Sequence, residues 1–364
     1  MAQRAPGQGL RRRALLAGAS AAALLGCRGG RSHVPADRSE VAAFAGLRGW
    51  CDGVPPIAPA EHGERRARLQ AELRAAGLDA LIVEAGATML YFTGVVWHRS
   101  ERPLLLVLPA DGEPTFAGPA FEARTLRERV GAATLRGWAE HASPYAQVGA
   151  ALADSGAARV AVEPWTRMFV LEGLRRDVPA VALVDGAAAV RACRSVKSPA
   201  ELALLRRANA ATKAALQAAA GRVRPGMLAA ELTAEVRAAQ EAAGLGDTWA
   251  LALFGADAAF PHGTGGARPL ARGELVLVDC GGALHGYQSD ITRTWAFGQV
   301  DAEARRAWAT VLAAQSAALA AIRPGQACGA VDAAARAVIV GAGFGPDDRF
   351  FTHRLGHGIG LETH

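Results

Sequence analysis

The chain has 364 residues, 51% of them hydrophobic, and a formal net charge of +6 at pH 7. This length suits two domains of ordinary size, and the apolar content permits a large core. No basic run occurs beyond the N-terminus, so the charge pattern argues against a nucleic-acid-binding protein.

The first 27 residues have the character of an export signal. LRRRALLAGASAAALLGC runs from Leu10 to Cys27, with arginines first and an apolar stretch after them. That stretch is too short and too rich in small residues to form a stable membrane span. Arg12-Arg13 with the following residues resembles the twin-arginine export motif, and LLGC resembles a bacterial lipobox. We expect a lipid on Cys27, membrane contact through this lipid only, and a periplasmic or cell-envelope location. A plain secretory signal with an incidental cysteine is the alternative.

Residues 28–61 are rich in Gly, Pro, Ala and charge, which predicts a tether. Helical spacing then begins near Glu64 in ERRARLQAELRAAGL, and Gly77 is a suitable C-terminal stop. The segments ALIVEA, LLLVLP, ARVAVEP and VALVDG follow as predicted strands. Helices and short strands alternate to about residue 190, so an α/β domain is predicted over residues 62–192.

Residues 193–364 form a second predicted domain. Ser198-Pro199-Ala200-Glu201 has the form of a capping box and opens a long alanine-rich helix to about Ala220. A pattern of a predicted helix, an Arg-Pro-Gly unit and a second predicted helix then occurs twice, with the arginine at Arg224 and at Arg323. This echo suggests a domain built from two similar halves.

The stretch VDCGGALHGYQSD, residues 278–290, predicts two strands joined by a glycine-rich turn. If the turn centres between Leu284 and His285, Asp279 and Asp290 face each other across the hairpin. Opposed carboxylates destabilise a hairpin unless a proton or a cation lies between them. The sequence therefore predicts a cation site here.

Histidines cluster at the end of the chain, at His353, His357 and His364, among glycines that argue against a helix. A further histidine, His262, stands in AFPHGTGG, before the strand that carries Asp279. Two carboxylates with an imidazole suit Mn²⁺, Co²⁺, Fe²⁺ or Zn²⁺. Additional histidines could move protons or stabilise an oxyanion.

Four cysteines lie beyond Cys27, and they form no CxxC pair: Cys51, Cys193, Cys280 and Cys328. The spacing indicates neither a zinc cluster nor a dense disulfide framework. We expect all four to be small buried apolar residues, with Cys280 on the opposite face of the strand from Asp279.

Two motifs carry a resemblance to a known family. The pattern D…GY.SD.TRT begins at Asp279, and the pattern GHGIGLE.H runs from Gly356 to His364. In these motifs, and in VRACRSVKSPAELALLRRA at 190–208, the chain resembles the aminopeptidase P, prolidase and creatinase family. The resemblance implies an α/β (α+β) protein, with a creatinase-like N-terminal domain followed by a pita-bread catalytic domain that is incomplete at the C-terminus.

The resemblance also implies a chemistry. Asp279, Asp290 and His357 match ligands of two divalent metal ions, Mn²⁺ first, with Co²⁺, Zn²⁺ and Fe²⁺ as alternatives. His262, His353 and His364 match histidines that bind substrate or handle protons. The expected reaction is hydrolysis of the bond before proline in a peptide, by a metal-bridging hydroxide. A homodimer or homotetramer is expected, in which WHRSERP (97–103) reaches a neighbour's site.

One departure from the family pattern affects the expected activity. The family completes its site with two glutamates after the GHGIGLE segment, and this sequence ends at His364. We therefore expect a truncated form of a longer protein, with little activity in these 364 residues. Two alternatives stay open: a pita-bread enzyme that acts on a small metabolite, and a non-catalytic, lipid-anchored binding protein. Retention of both aspartates argues against the metal-free creatinase branch.

Overall fold

The computed structural model of the protein describes residues 41–264, 266–346 and 348–364. The predicted export signal, with Cys27, and residues 28–40 of the predicted tether lie outside these residues. In the described part of the predicted tether, residues 41–61, Phe44 packs into a core cluster and Cys51 is buried. Within the described ranges, no helix combines the length and the apolar character needed to cross a membrane.

The first part of the chain builds a mixed six-stranded sheet in the order β4-β3-β2-β1-β5-β6. Strands β1, β2 and β3 pair antiparallel, whereas β4, β5 and β6 each join a neighbour in parallel. The strands are β1 (Ala80–Glu84), β2 (Leu105–Pro109), β3 (Thr115–Pro119), β4 (Thr134–Trp138), β5 (Arg159–Val162) and β6 (Ala182–Asp185).

Helices cover this sheet on both faces. Leu81 and Val83 of β1 pack into one hydrophobic cluster, while Ala80 and Ile82 pack into another. A strand buried on both faces needs a continuous apolar run, which Ala80–Val83 (ALIV) supplies. The helices are α1 (Pro59–Ala75), α2 (Ala87–Thr93), α3 (Ala123–Val130), α4 (Pro144–Asp154), α5 (Met168–Asp177) and α6 (Ala187–Arg194).

Helix α1 ends where the sequence predicts. Gly77 adopts a positive φ of 62°, and the Leu78 amide donates back to the Leu73 carbonyl at 2.9 Å. Glycine reaches this left-handed conformation without a Cβ penalty, so RAAGL stops the helix.

The second part contains a smaller sheet in the order β10-β8-β7, with β9 paired to β8. Its elements are α7 (Pro199–Ala220), α8 (Ala229–Ala242), β7 (Gly246–Phe254), β8 (Glu274–Leu284), β9 (Tyr287–Gln288), β10 (Ile291–Phe297), α9 (Ala302–Ala321) and α10 (Cys328–Gly341). Helix α7 begins with the predicted capping box: the Ser198 hydroxyl accepts from the Glu201 amide, and the Glu201 carboxylate accepts from the Ser198 amide.

The predicted internal echo corresponds to two helix pairs of similar local arrangement. Each Arg-Pro-Gly unit lies between two helices that pack on each other, α7 with α8 and α9 with α10. Gly226 and Gly325 occupy the same place in the two units and have φ values of 80° and 82°.

The predicted hairpin register is wrong: the turn centre lies one residue further along the chain, so the partner of each β8 residue shifts by two residues. Asp279 pairs with Thr292 rather than with Asp290, and Cys280 pairs with Ile291. The two-residue turn is His285-Gly286, with φ values of 50° and 87°. Positive φ at both central residues is the type I′ geometry that matches the twist of paired strands, and it moves the turn centre one residue along the chain.

The prediction for the cysteines is correct for three of them. Cys51, Cys193 and Cys280 are buried, whereas Cys328 is exposed at the first position of α10.

Candidate functional site

Strand β8 separates the core from the candidate site. Val276, Val278 and Cys280 are fully buried in the core cluster of this domain. Asp279 is half-buried and, because side chains alternate along a strand, it lies on the opposite face. The prediction that Cys280 and Asp279 point apart is therefore confirmed.

The carboxylate of Asp279 is held by its cross-strand neighbour. The Thr292 hydroxyl donates to Asp279 Oδ1 at 2.6 Å. A short hydrogen bond to one oxygen fixes the rotamer of the carboxylate and leaves Oδ2 to face other groups. Thr292 stands in the TRT motif, where sequence comparison assigned it no function.

Asp290 and His357 come together although 67 positions separate them in the sequence (357 − 290). His357 Nε2 lies 3.7 Å from Asp290 Oδ2, and the side chains are 40% and 20% exposed. His357 Nδ1 lies 2.9 Å from the Gly358 carbonyl oxygen. With the proton on Nδ1, Nε2 presents a lone pair on the side of Asp290, which is the arrangement of a metal-binding imidazole.

The two aspartates also act on one common group. Burial, and then the charges of Asp279 and Asp290, raise the pKa of the Cys280 thiol to about 12. Cys280 follows Asp279 in β8 and pairs with Ile291, which follows Asp290, so both aspartates are adjacent to this pair of residues even though they do not pair with each other.

Two of the terminal histidines form a pair. The rings of His357 and His364 have centroids 4.1 Å apart at an interplanar angle of 32°. His353 packs instead against Phe351, with centroids 4.9 Å apart, and its Nδ1 lies 2.7 Å from the Arg354 carbonyl oxygen. All three histidines are exposed.

His262 lies on an exposed turn that follows a short 3₁₀ helix, Gly255–Ala259. The next residue, Gly263, packs against β7: a Cβ placed there would lie 3.1 Å from Leu253 Cδ2 and 3.5 Å from Leu251 Cδ1. Leu251 is the residue directly opposite Asp279. The turn that carries His262 therefore covers the face of the sheet on which Asp279 stands.

These groups do not form a complete metal-binding cluster. In the part of the chain that the structure describes, no three His, Cys, Asp or Glu side chains lie close enough together to share a metal ion. Asp290 and His357 are brought together, whereas Asp279, His262 and His353 are not grouped with them. The donors nevertheless fit a divalent cation in kind, because two hard carboxylates and an imidazole with a lone-pair nitrogen are what Mn²⁺, Co²⁺ or Zn²⁺ accepts.

The terminal segment is fastened to the hairpin. The Gln288 amide donates to the Gly360 carbonyl at 2.8 Å. Tyr287, next to it, is buried, and its hydroxyl accepts from Arg65 and donates to Glu201, both at 3.1 Å. Burial and the nearby Glu201 carboxylate raise the pKa of Tyr287, so its hydroxyl keeps its proton. The tyrosine of the GYQSD motif is therefore an anchor between α1, α7 and β9.

A cavity of about 610 Å³ opens beside this segment. Its lining includes Glu362 and His364 of the terminal segment, Glu163 and Trp165 after β5, and Arg194 at the end of α6. Sequence reasoning missed Glu163, Trp165 and Arg194. Only Arg194 carried a signal, since it stands in the 190–208 stretch that resembled the family.

Comparison with known proteins gives the same assignment for both domains. Residues 65–196 match the creatinase/prolidase N-terminal domain, and residues 203–364 match metallopeptidase family M24. An uncharacterized peptidase of Schizosaccharomyces pombe is 36% identical over 324 residues, which cover 84% of this chain and 70% of the relative.

Solved structures agree with the fold. The crystal structure of dipeptidase PepE from Mycobacterium ulcerans superposes with a TM-score of 0.79 at 32% identity and covers 85% of this chain and 84% of its own. A recombinant prolidase from Thermococcus sibiricus gives a TM-score of 0.77 at 23% identity over 85% of this chain and 84% of its own, which supports the fold alone. The predicted fold class and family resemblance are confirmed: this chain belongs to the M24 metallopeptidase family, as a peptidase with a creatinase-type N-terminal domain followed by a pita-bread domain.

Proposed function

We propose that this M24 peptidase is metal-dependent and hydrolyses the peptide bond before proline in short peptides. The observation that carries the proposal is the approach of His357 Nε2 to Asp290 Oδ2, at 3.7 Å, beside the strand that presents Asp279. The similarity to a protein named dipeptidase at 32% identity favours dipeptides as substrates. The preference for proline rests on the resemblance of the motifs.

Asp279, Asp290 and His357 are the residues that would hold a divalent cation, with Mn²⁺ as the first candidate. When bound, such an ion supplies Lewis-acid activation of the scissile carbonyl and of water.

The protein's own groups have separate tasks. Thr292 orients Asp279 through the 2.6 Å hydrogen bond, and the Gly358 carbonyl orients the ring of His357. His364 is exposed beside His357, and we propose that it passes a proton to the departing amine. His262 and His353 stand on exposed segments, where they would contact the substrate.

The test uses the natural gene product without residues 1–27. Hydrolysis of an Xaa-Pro dipeptide is compared with hydrolysis of the corresponding Xaa-Ala dipeptide, after chelation and after Mn²⁺ is returned. We expect Mn²⁺-dependent cleavage that favours proline and is lost in Asp279→Asn. Asp111→Asn is the control, because Asp111 is 86% exposed on the first domain.

Each part of the proposal can fail separately. Equal rates on the two dipeptides would remove the proline preference and leave a general dipeptidase. Cleavage that persists after chelation would remove the metal. Mn²⁺ binding without cleavage of either dipeptide would point to another small substrate.

We also propose that the protein is exported, is anchored to the cell envelope by a lipid on Cys27, and assembles as a homodimer or homotetramer. The support is the sequence of residues 10–27 and the family resemblance. Light scattering tests the assembly, and a strict monomer would contradict it.

A further inference from the structure

An ion pair joins the first domain to the terminal histidine segment. Arg194 is the last residue of α6, and its guanidinium lies 2.7 Å from the Glu362 carboxylate. The two side chains are 17% and 40% exposed. Glu362 is two residues before His364, and both residues line the cavity.

The guanidinium of Arg194 is itself held by a buried chain of contacts. Its second terminal nitrogen donates to the Thr88 hydroxyl at 2.9 Å, and that hydroxyl donates to Glu163 Oε1 at 3.0 Å. Thr88 is 2% exposed and Glu163 is 4% exposed. Because two partners hold the guanidinium of Arg194, it can fix the position of Glu362, whereas a single exposed ion pair would leave both side chains mobile.

The segment that Arg194 contacts has little regular structure of its own. Residues 356–364 form neither helix nor strand. A Cβ added at Gly356 or Gly358 would meet no atom within 4 Å, so the space on the Cβ side of both glycines is open. Besides the backbone hydrogen bond from Gln288 to Gly360, side-chain contacts therefore contribute to fixing His357 and His364.

We propose that Arg194 is a positioning residue of the reaction: through Glu362, it fixes the His357–His364 pair against the first domain. The ion pair to Glu362 is partly exposed and contributes little to global stability, so most of any stability loss in Arg194→Ala comes from the single contact to buried Thr88. Misplacement of a reacting group by about 1 Å can cost about a hundredfold in rate. The structure thus assigns Arg194 a larger effect on turnover than on unfolding. The kinetic part of this inference rests on the proposed function.

The kinetic test compares Arg194→Ala with Arg124→Ala in the natural gene product without residues 1–27. Arg124 is 96% exposed and also faces a glutamate, Glu128, at 3.8 Å, so its loss is a matched control. We expect Arg194→Ala to lower kcat about tenfold, with KM within about twofold and Tm within about 2 °C. Arg124→Ala should leave all three unchanged, and Arg194→Lys should recover part of kcat because it keeps the charge.

A double-mutant cycle identifies the route of the effect. If Arg194 acts through Glu362, then Glu362→Gln lowers kcat by a similar factor, and the double variant is no worse than either single variant. Losses that multiply in the double variant would overturn the proposal, as would an Arg194→Ala enzyme with the kcat of Arg124→Ala.

Amide hydrogen exchange gives a measurement that needs no activity. Arg194→Ala should speed exchange in residues 358–364 about tenfold relative to the unsubstituted protein, and Arg124→Ala should not. If the unsubstituted protein cleaves no dipeptide, the proposed function fails while exchange still tests Arg194. Unchanged exchange in Arg194→Ala would overturn the positioning role.

Discussion

The Tyr287 hydroxyl donates to the Glu201 carboxylate at 3.1 Å and thereby ties the hairpin strand β9 to the first turn of α7. The same hydroxyl accepts from Arg65, which is 3% exposed. Tyr287→Phe would leave a buried guanidinium and a buried carboxylate without this partner. We expect a loss of about 1–3 kcal/mol in the free energy of unfolding, measured with urea. Tyr145→Phe is the control: its hydroxyl donates one longer bond, 3.3 Å, to the Phe169 carbonyl, so its loss should be smaller.

The hydrogen bond from Thr292 to Asp279 predicts an effect on metal affinity. Groups that orient a ligand from behind typically contribute about 10–100-fold to metal affinity or activity. We expect Thr292→Val to weaken Mn²⁺ binding by that factor in calorimetry, because Asp279 Oδ1 loses its donor. Thr292→Ser keeps the hydroxyl and should retain most of the affinity. Equal affinity in the valine variant would show that Asp279 needs no such support.

Gly281 predicts a packing limit beside the candidate site. A Cβ at Gly281 would lie 2.0 Å from the Ser289 carbonyl oxygen and 2.7 Å from Trp249 Nε1, so the backbone of the hairpin would have to move. We expect Gly281→Ala to cost about 3 kcal/mol or more in thermal or urea unfolding. Gly356→Ala meets no neighbour within 4 Å and should change stability by less than about 0.5 kcal/mol. Similar stability of the two variants would contradict this account.

His62 predicts a dependence of stability on pH. Burial lowers the pKa of His62 from its ordinary 6.5, against the hydrogen-bonding contribution of the Tyr91 carbonyl. Below pH 6.5 the unfolded chain therefore binds a proton that the folded chain binds only at lower pH. The contribution of His62 is fully present above pH 6.5 and is lost as the pH falls through its folded pKa. Urea midpoints at about pH 7.5 and 5.5 should differ more in the unsubstituted protein than in His62→Gln. Equal differences would contradict the prediction.

Residues 1–27 predict a location that fractionation can check. If Cys27 carries the proposed lipid, Cys27→Ser should move the protein from the membrane pellet to the soluble fraction, because it removes the proposed site of the lipid. Replacing Arg12 and Arg13 with lysines should retain the precursor in the cytoplasm. Export that continues in the lysine variant would identify the plain secretory route instead.

Local signals predicted the local parts of the fold. The Ser198 capping box, the stop of α1 at Gly77 and both Arg-Pro-Gly units depend on residues within a few positions of each other, and all are present. The hairpin register failed because the turn places the non-glycine His285 at φ 50°, a choice that composition does not reveal. The register then decides which residue faces Asp279.

Long-range contacts account for what was missed at the site. Arg194 and Glu362 are 168 positions apart in sequence, and neither residue type signals a partner at that distance. Motif resemblance identified Asp290 and His357 as members of one site, and the structure places them 3.7 Å apart. Motif resemblance could not identify Glu163, because the burial of a carboxylate that follows a strand is known only from the packed sheet.

Buried and outward-facing side chains alternate along β8, so the register that packs the core also sets the position of Asp279. Slipping this strand by one residue would turn Asp279 into the apolar core and expose Val278 and Cys280. Such a molecule would have neither a packed interior nor a carboxylate at the site. Burial of Val278 and Cys280 in the core therefore also selects the register that places Asp279 on the outward face. Molecules that unfold cooperatively, as intact folded proteins do, are then also molecules with Asp279 on that face.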